Sequence, residues 1–212
     1  MRVYSAGAHT IAPSDYDYQP SIVVELWSAG GSSCSYYCSL SQQIPARGSG
    51  SGAYIKAQID TSFRPTLSAI VGRSADGSSL PCQSGLSGLY GGNINITISA
   101  GNGLSPPSCN STEGGQIVSL AGTSDVLFQT GMNGAADGYG SYPAPTCSGG
   151  SAPRGGSGGC CGISYSPPLN CPSRNVANGT TPGGGGGASY ARCPSCPLII
   201  GVGGDGALII YY

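Results

Sequence analysis

Two short patterns in this chain match sequences that do chemistry elsewhere. Gly155-Gly156-Ser157-Gly158-Gly159 fits G-x-S-x-G, the nucleophile elbow of serine hydrolases. An elbow lifts its serine on a sharp turn between a buried strand and a helix, and here both flanks are glycine and cysteine, so the match is one of composition. Gly201-x-Gly203-x-x-Gly206 fits the dinucleotide fingerprint and comes after the apolar run Leu198 to Ile200. Gly206 leads into the strand-like ALIIYY, not into the helix whose N-terminus would hold a pyrophosphate.

His9, the only histidine, sits in a polar N-terminal stretch with no cysteine at metal-ligand spacing, and is expected to be an exposed polar residue. Asp15 and Asp17 flank Tyr16 in PSDYDYQP and could offer two carboxylates to a cation, against the plainer reading of a solvated arm. These residues are expected to support no enzymatic activity and to hold no cofactor.

The cysteines are the strongest chemical signal. Ten are present: Cys34, Cys38, Cys82, Cys109, Cys147, Cys160, Cys161, Cys171, Cys193 and Cys196. Cys193-Pro-Ser-Cys196 invites a redox dithiol or half a zinc site. Pro197 opposes the helix that a redox pair needs, and adjacent Cys160 and Cys161 are awkward joint zinc ligands. An even, high cysteine count in a glycine-rich chain points first to disulfides, with zinc and free thiols as alternatives. Cys34 and Cys38 are the candidate local bridge. Asn95, Asn110 and Asn178 open N-x-S/T sequons, weak glycosylation candidates in so Asn-, Ser- and Thr-rich a chain.

The elements that must position these residues are short strands. SIVVELW alternates Ile22, Val24 and Leu26 against Val23, Glu25 and Trp27 and reads as a strand with both faces mostly covered. AYIKAQI sets Ala53, Ile55, Ala57 and Ile59 against Tyr54, Lys56 and Gln58, and NINITIS sets Ile94, Ile96 and Ile98 against Asn95, Thr97 and Ser99. PTLSAIVG, GQIVSLAG, SDVLFQTG and GALIIYY complete seven or eight runs, and nothing of helical length carries an apolar period of 3.6. The expected fold is all-β: an antiparallel, jelly-roll-like β-sandwich with long irregular glycine-rich loops, stapled by disulfides and almost free of helix. Residues 1–20 read as an arm and 21–212 as one domain, with a Gly/Pro/Cys-rich segment over 131–197 and a closing strand over 207–212.

Composition bounds the partners. The chain of 212 residues holds 38 glycines but only 8% charged residues, with formal net charge −1. No field steers it to nucleic acid or to an anionic membrane. A surface this poor in charge is expected to be covered by neighbouring subunits or by glycan. No apolar run has the length of a membrane span, and the N-terminus lacks the apolar region of a signal peptide, which conflicts with the cysteine load. A mature fragment, a hyperthermophilic source or a virus that oxidises its own proteins would each reconcile the two.

VELWSAGG, SGSGAYIKAQI, PTLSAIVGRSADG, PGGGGGASY and GVGGDGALIIYY together resemble the glycine-rich domain of phage tail-fibre and other virion proteins. The chain departs from that pattern in its cysteines, in Ser28 where the family usually has glycine, and in an insertion from about Leu80 to Tyr142. The resemblance implies a non-enzymatic virion structural protein, capsid-associated or part of a fibre; taken with the cysteine load and the lack of a signal-peptide pattern, it points to a large DNA virus with its own thiol oxidase. It would pack against itself, a trimer being expected, and against other virion proteins. The glycine runs would let backbones pack with no side chain between them, and the first and last strands named above would share a sheet. The alternatives are a flexible linker for the five glycines, and, for function, a fibre-tip or adhesin module whose Tyr36, Tyr37, Tyr139 and Tyr142 stack on surface glycans.

The cysteine reading is open to a direct count. Intact-mass analysis with alkylation before and after reduction should find most of the ten thiols protected until reductant is added. Ready alkylation without reductant, with about one zinc per chain co-purifying, would replace disulfides by a metal-bound domain.

Overall fold

A computed structural model describes residues 1–32, 48–75, 85–101, 113–134, 149–159, 162–164, 178–187, 189–191 and 201–212, the two three-residue pieces by backbone alone. Two antiparallel five-stranded sheets dominate it. Sheet A has the order β1 (Arg2–Tyr4), β12 (Ala207–Tyr211), β3 (Ser21–Trp27), β4 (Tyr54–Asp60), β9 (Thr123–Gln129). Sheet B has the order β2 (Gly7–Ile11), β5 (Leu67–Val71), β6 (Ser87–Gly91), β7 (Ile94–Ile98), β8 (Ile117–Ala121). A short parallel pair, β10 (Gly162–Ser164) and β11 (Ser189–Ala191), stands apart from both. The only helical element among the described residues is a 3-10 turn, Pro13–Tyr16.

The alternating patterns place the core between the sheets. From sheet A come Ile22, Val24, Leu26, Ile55, Ala57, Ile59, Leu208 and Ile210; from sheet B come Ile11, Leu67, Ala69, Val71, Leu89, Ile94, Ile96 and Ile98, all buried. Period-two alternation delivers one of every two side chains to this layer, so the apolar phase of each strand decides which face turns inward. The closing strand β12 pairs with β3 from Ala207↔Trp27 to Tyr211↔Val23, as expected of the first and last strands read from the sequence.

Residues 1–20 differ from the arm expected. They supply β1 to one sheet and β2 to the other, and Tyr16 is fully buried with its hydroxyl donating to the Pro65 carbonyl at 2.8 Å. Runs of three and five residues are too short for a periodic signal, so their partners alone decide their place. β6 escaped notice for a related reason: SGLYG is interrupted by Gly88, over which the Tyr90 ring lies, leaving no room for a side chain there.

The strand registers give the sandwich two unlike ends. At one end the turns are tight, as at Gly92-Asn93 and Gly122, whose glycines have φ of +60° and +71°. At the other end the chain makes long excursions over residues 28–53, 72–86, 99–116 and 130–206, and every cysteine belongs to one of them by sequence.

The described glycine-rich parts of those excursions form a hydrogen-bonded bundle. Gly183 to Gly187 lie at its centre. Their amides donate to three other segments, Gly183 to Asp205 (2.8 Å), Gly185 to Gly150 (2.8 Å) and Gly186 to Gly31 (3.0 Å), and within their own, Gly184 to Thr180 (3.0 Å). Their carbonyls accept from Gly52, Gly204, Gly159, Ser49 and Gly201. A β-strand reaches two neighbours, one at each edge; a backbone that bonds outward in more directions packs like a three-fold extended helix. A methyl group at Gly184, Gly185 or Gly186 would run into the carbonyl oxygens of Ser157, Ser49 and Gly201. Five consecutive glycines are what a central segment surrounded by backbone requires, not a flexible linker.

Buried serines tie this bundle to the sandwich. The Ser87 hydroxyl donates to the Trp27 carbonyl (2.9 Å) and accepts from the Gly72 amide (2.8 Å), bridging the two sheets. Ser28, which replaces the glycine of the resembled pattern, donates to the Ser99 carbonyl (2.6 Å) and accepts from the Ala53 amide (2.9 Å).

Gly185→Ala tests the bundle. Overpacking against backbone should cost at least about 2 kcal/mol in urea unfolding, whereas in a flexible linker the same change would be neutral or slightly stabilising.

Candidate functional site

The two outer faces of the sandwich differ in kind. On sheet B the outward rows carry Thr10, Ser68, Tyr90, Asn95 and Ser119 together with the exposed Ile70, while Thr97 in the same row is buried with its hydroxyl 3.0 Å from that of Tyr90 and the Ser119 hydroxyl donates to Asn95 Oδ1 at 2.9 Å. Hydroxyls and amides face water at little cost. Sheet A presents something else.

Register pairing places Val3, Ile209, Glu25, Lys56 and Leu127 in one outward row across all five strands. The next row towards the tight-turn end holds Tyr211, Val23, Gln58 and Ser124; the next towards the glycine end holds Ala207, Trp27, Tyr54 and Gln129. Most of these side chains are apolar or aromatic. Val3 is 63% and Leu127 37% exposed, while Val23, Ile209 and Tyr211 are half-buried.

The glycine end of this face is covered. Trp27 and Tyr54 stack at 4.9 Å between ring centroids, Ala152 packs on them, and the Trp27 indole donates to the Pro153 carbonyl at 2.9 Å. Arg154 lies 5.8 Å from the Tyr54 ring centroid. The loop that carries Ala152 to Gly155 is thus clasped onto the sheet by the only tryptophan of the chain.

One carboxylate organises the middle. Glu25 accepts from the Tyr54 hydroxyl (3.1 Å) on one oxygen and the Tyr211 hydroxyl (3.1 Å) on the other, and pairs with Lys56 at 3.1 Å. The Lys56 ammonium also lies 5.8 Å from the Tyr211 ring centroid. Burial, then the Glu25 charge and the hydrogen bond to it, push the Tyr54 phenol up to about 12; the same causes raise Tyr211. Every group in the cluster has a partner. It holds the face in shape and presents no free acid, base or nucleophile.

The residues singled out by sequence are scattered. His9 is half-buried in β2, its Nε2 donating to the Ser5 carbonyl at 2.7 Å and its ring 5.2 Å from that of Tyr4. The expected exposed position is corrected by the two rings closing the core where β1 and β2 adjoin. Asp15 is paired with Arg2 at 2.8 Å and accepts from the Ala12 amide, so it is not half of a free carboxylate pair with exposed Asp17. Ser157 lies in the bundle, where its amide donates to Thr180 Oγ1; Gly203 and Gly206 pack against the Gly30 and Trp27 carbonyls. Asn95 is exposed on sheet B, and Asn178 is exposed with its Oδ1 accepting from the Val202 amide. All ten cysteines from Cys34 to Cys196, Asn110, and Tyr36, Tyr37, Tyr139 and Tyr142 lie outside the described residues.

The outward face of sheet A was the residue set that sequence reasoning passed over. Its signal was present in β3: Val23, Glu25 and Trp27 are the off-phase positions of a strand read as covered on both sides. Comparison of the chain with protein-family models, with curated proteins and with solved structures finds no match.

Tyr54 gives this site a pH signature. Its folded-state value lies above the ordinary 10.0, so the stability contributed by the neutral phenol is complete below pH 10 and is lost as pH rises towards 12. Tyr54→Phe should flatten that alkaline loss by about 1.4 kcal/mol between pH 8 and 11, while costing about 1 kcal/mol at neutral pH for the lost bond to Glu25. Urea titrations at pH 8 and 11 measure both.

Proposed function

We propose that this chain is a non-enzymatic structural protein of a virus particle, capsid-associated or part of a fibre, that works by packing against copies of itself and against other particle proteins. The observation that carries the reading is the bundle around Gly183–Gly187. Gly30, Gly31, Gly50, Gly52, Gly183 to Gly187, Gly201, Gly203 and Gly204 of the bundle fall in the segments whose resemblance to the virion glycine-rich domain was drawn from sequence, and they are occupied in backbone packing. The patterns that imitated catalytic motifs are likewise used as backbone spacers and anchors.

The scarcity of charge supports assembly. With 8% charged residues and formal net charge −1, copies of the chain meet little electrostatic repulsion. The uncharged surface that sheet A and the edge strands leave in water favours contact. In a large DNA virus that oxidises its own structural proteins the ten cysteines would pair as disulfides.

Sedimentation of the purified full-length chain should give a mass above the 21.0 kDa of one chain at tens of micromolar. Quantitative mass spectrometry of purified particles should find the chain at structural rather than trace abundance. A clean monomer, absent from particles, would end this reading.

A further inference from the structure

We infer that the outer face of sheet A is the surface on which a second copy of this chain docks, the two copies packing face to face about a two-fold axis parallel to the strands. The inference rests on the self-association proposed above and names its surface.

The first ground is the contrast between the two outer faces. A sandwich whose two outer faces both met water would carry mostly polar residues on both, as sheet B does with exposed Thr10, Ser68 and Asn95 and half-buried Ser119 around one exposed isoleucine, Ile70. Sheet A instead turns Val3, Val23, Leu127, Ile209 and Tyr211 outward, and only its glycine end is covered, by Ala152 on Trp27 and Tyr54.

The charges supply the second ground. Glu25 and Lys56 sit side by side in the middle row, on adjacent strands. An axis along the strands and between β3 and β4 reverses the row, so Lys56 of one copy faces Glu25 of the other, and Ile209 faces Leu127. The ammonium has three donors, and its side chain remains 41% exposed. A face carrying one such pair amid apolar neighbours is complementary to itself, the requirement of an isologous contact.

The edges argue for the face over the rim. β8 and β9 also expose apolar side chains, among them Val118, Leu120 and Val126. Both ladders are irregular there: the register shifts opposite Val118 in β8 and opposite Asp125-Val126 in β9, where Asp125 has φ +47°. Bulges of this kind blunt an edge against strand addition. Pairwise contact through the face builds a dimer first, in place of the trimer expected of fibre-like composition.

Lys56 is the only lysine in the chain, so amine-reactive labelling located by peptide mapping at Lys56, apart from the Met1 α-amine, reads this face in the full-length wild-type protein. Labelling of Lys56 should slow several-fold as the protein is concentrated from below one micromolar to tens of micromolar. In sedimentation, Leu127→Glu should weaken association at least ten-fold while Val118→Glu, on the bulged edge of sheet B, leaves a dimer. Concentration-independent labelling, an unweakened Leu127→Glu, or a trimer mass would overturn the face while leaving self-association standing. A wild-type monomer at every concentration would instead remove the self-association on which the face depends.

Discussion

The absence of a Cβ along Gly183 to Gly187 is the constraint on which this structure turns. Backbones approach Gly184, Gly185 and Gly186 so closely that a Cβ there would meet a carbonyl oxygen, and the run pairs with backbone of several other segments, around Gly31, Ser49 to Gly52, Gly150, Gly159 and Gly201 to Asp205. An unpaired buried amide or carbonyl costs as much as a lost hydrogen bond. The bundle removes that cost without strands and without a hydrophobic core of its own. Described parts of the excursions that leave β3, β5, β7 and β9 therefore return to a common scaffold.

The same scaffold fixes the sandwich. The Gly206 amide, just before β12, donates to the Gly72 carbonyl after β5, and the Gly101 amide donates to the Ala29 carbonyl after β3, each joining one sheet to the other. Ser28, Ser49, Ser51 and Ser87 are fully buried, and each hydroxyl bonds to backbone, so the polar end is satisfied without charge. Small hydroxyls among glycines keep the backbones close while supplying the donors and acceptors that irregular segments leave over. This is how a chain with so few charged residues orders a large fraction of non-strand structure.

One loop of this end reaches beyond it. Pro153 holds the Trp27 indole, and with Ala152 it covers the upper part of sheet A, leaving the Glu25–Lys56 row uncovered. Glu25 is the hub that keeps Tyr54, Tyr211 and Lys56 in place around it. The inner layer holds the fold together, the outer face of sheet B is mostly hydroxyls and amides, and the free part of sheet A turns apolar side chains outward around one ion pair.

Much of the sandwich was legible in the sequence. Alternation in SIVVELW, AYIKAQI and NINITI fixed which side chains face inward, because a period of two leaves each strand only one apolar phase to bury. The pairing of the closing GALIIYY with the β3 strand followed from the resemblance. What alternation does not contain is partnership. Residues 1–20 joined both sheets because Ile11, Tyr4 and Tyr16 found neighbours brought from Leu67, Leu208 and Pro65, contacts with no local signal. The outward row of Val3, Ile209, Glu25, Lys56 and Leu127 arises only when five strands distant in sequence come into register. Glycine composition told that backbones could approach; which carbonyl each amide meets was decided by tertiary structure, since hydrogen bonds among extended segments depend on spatial neighbours and not on sequence order.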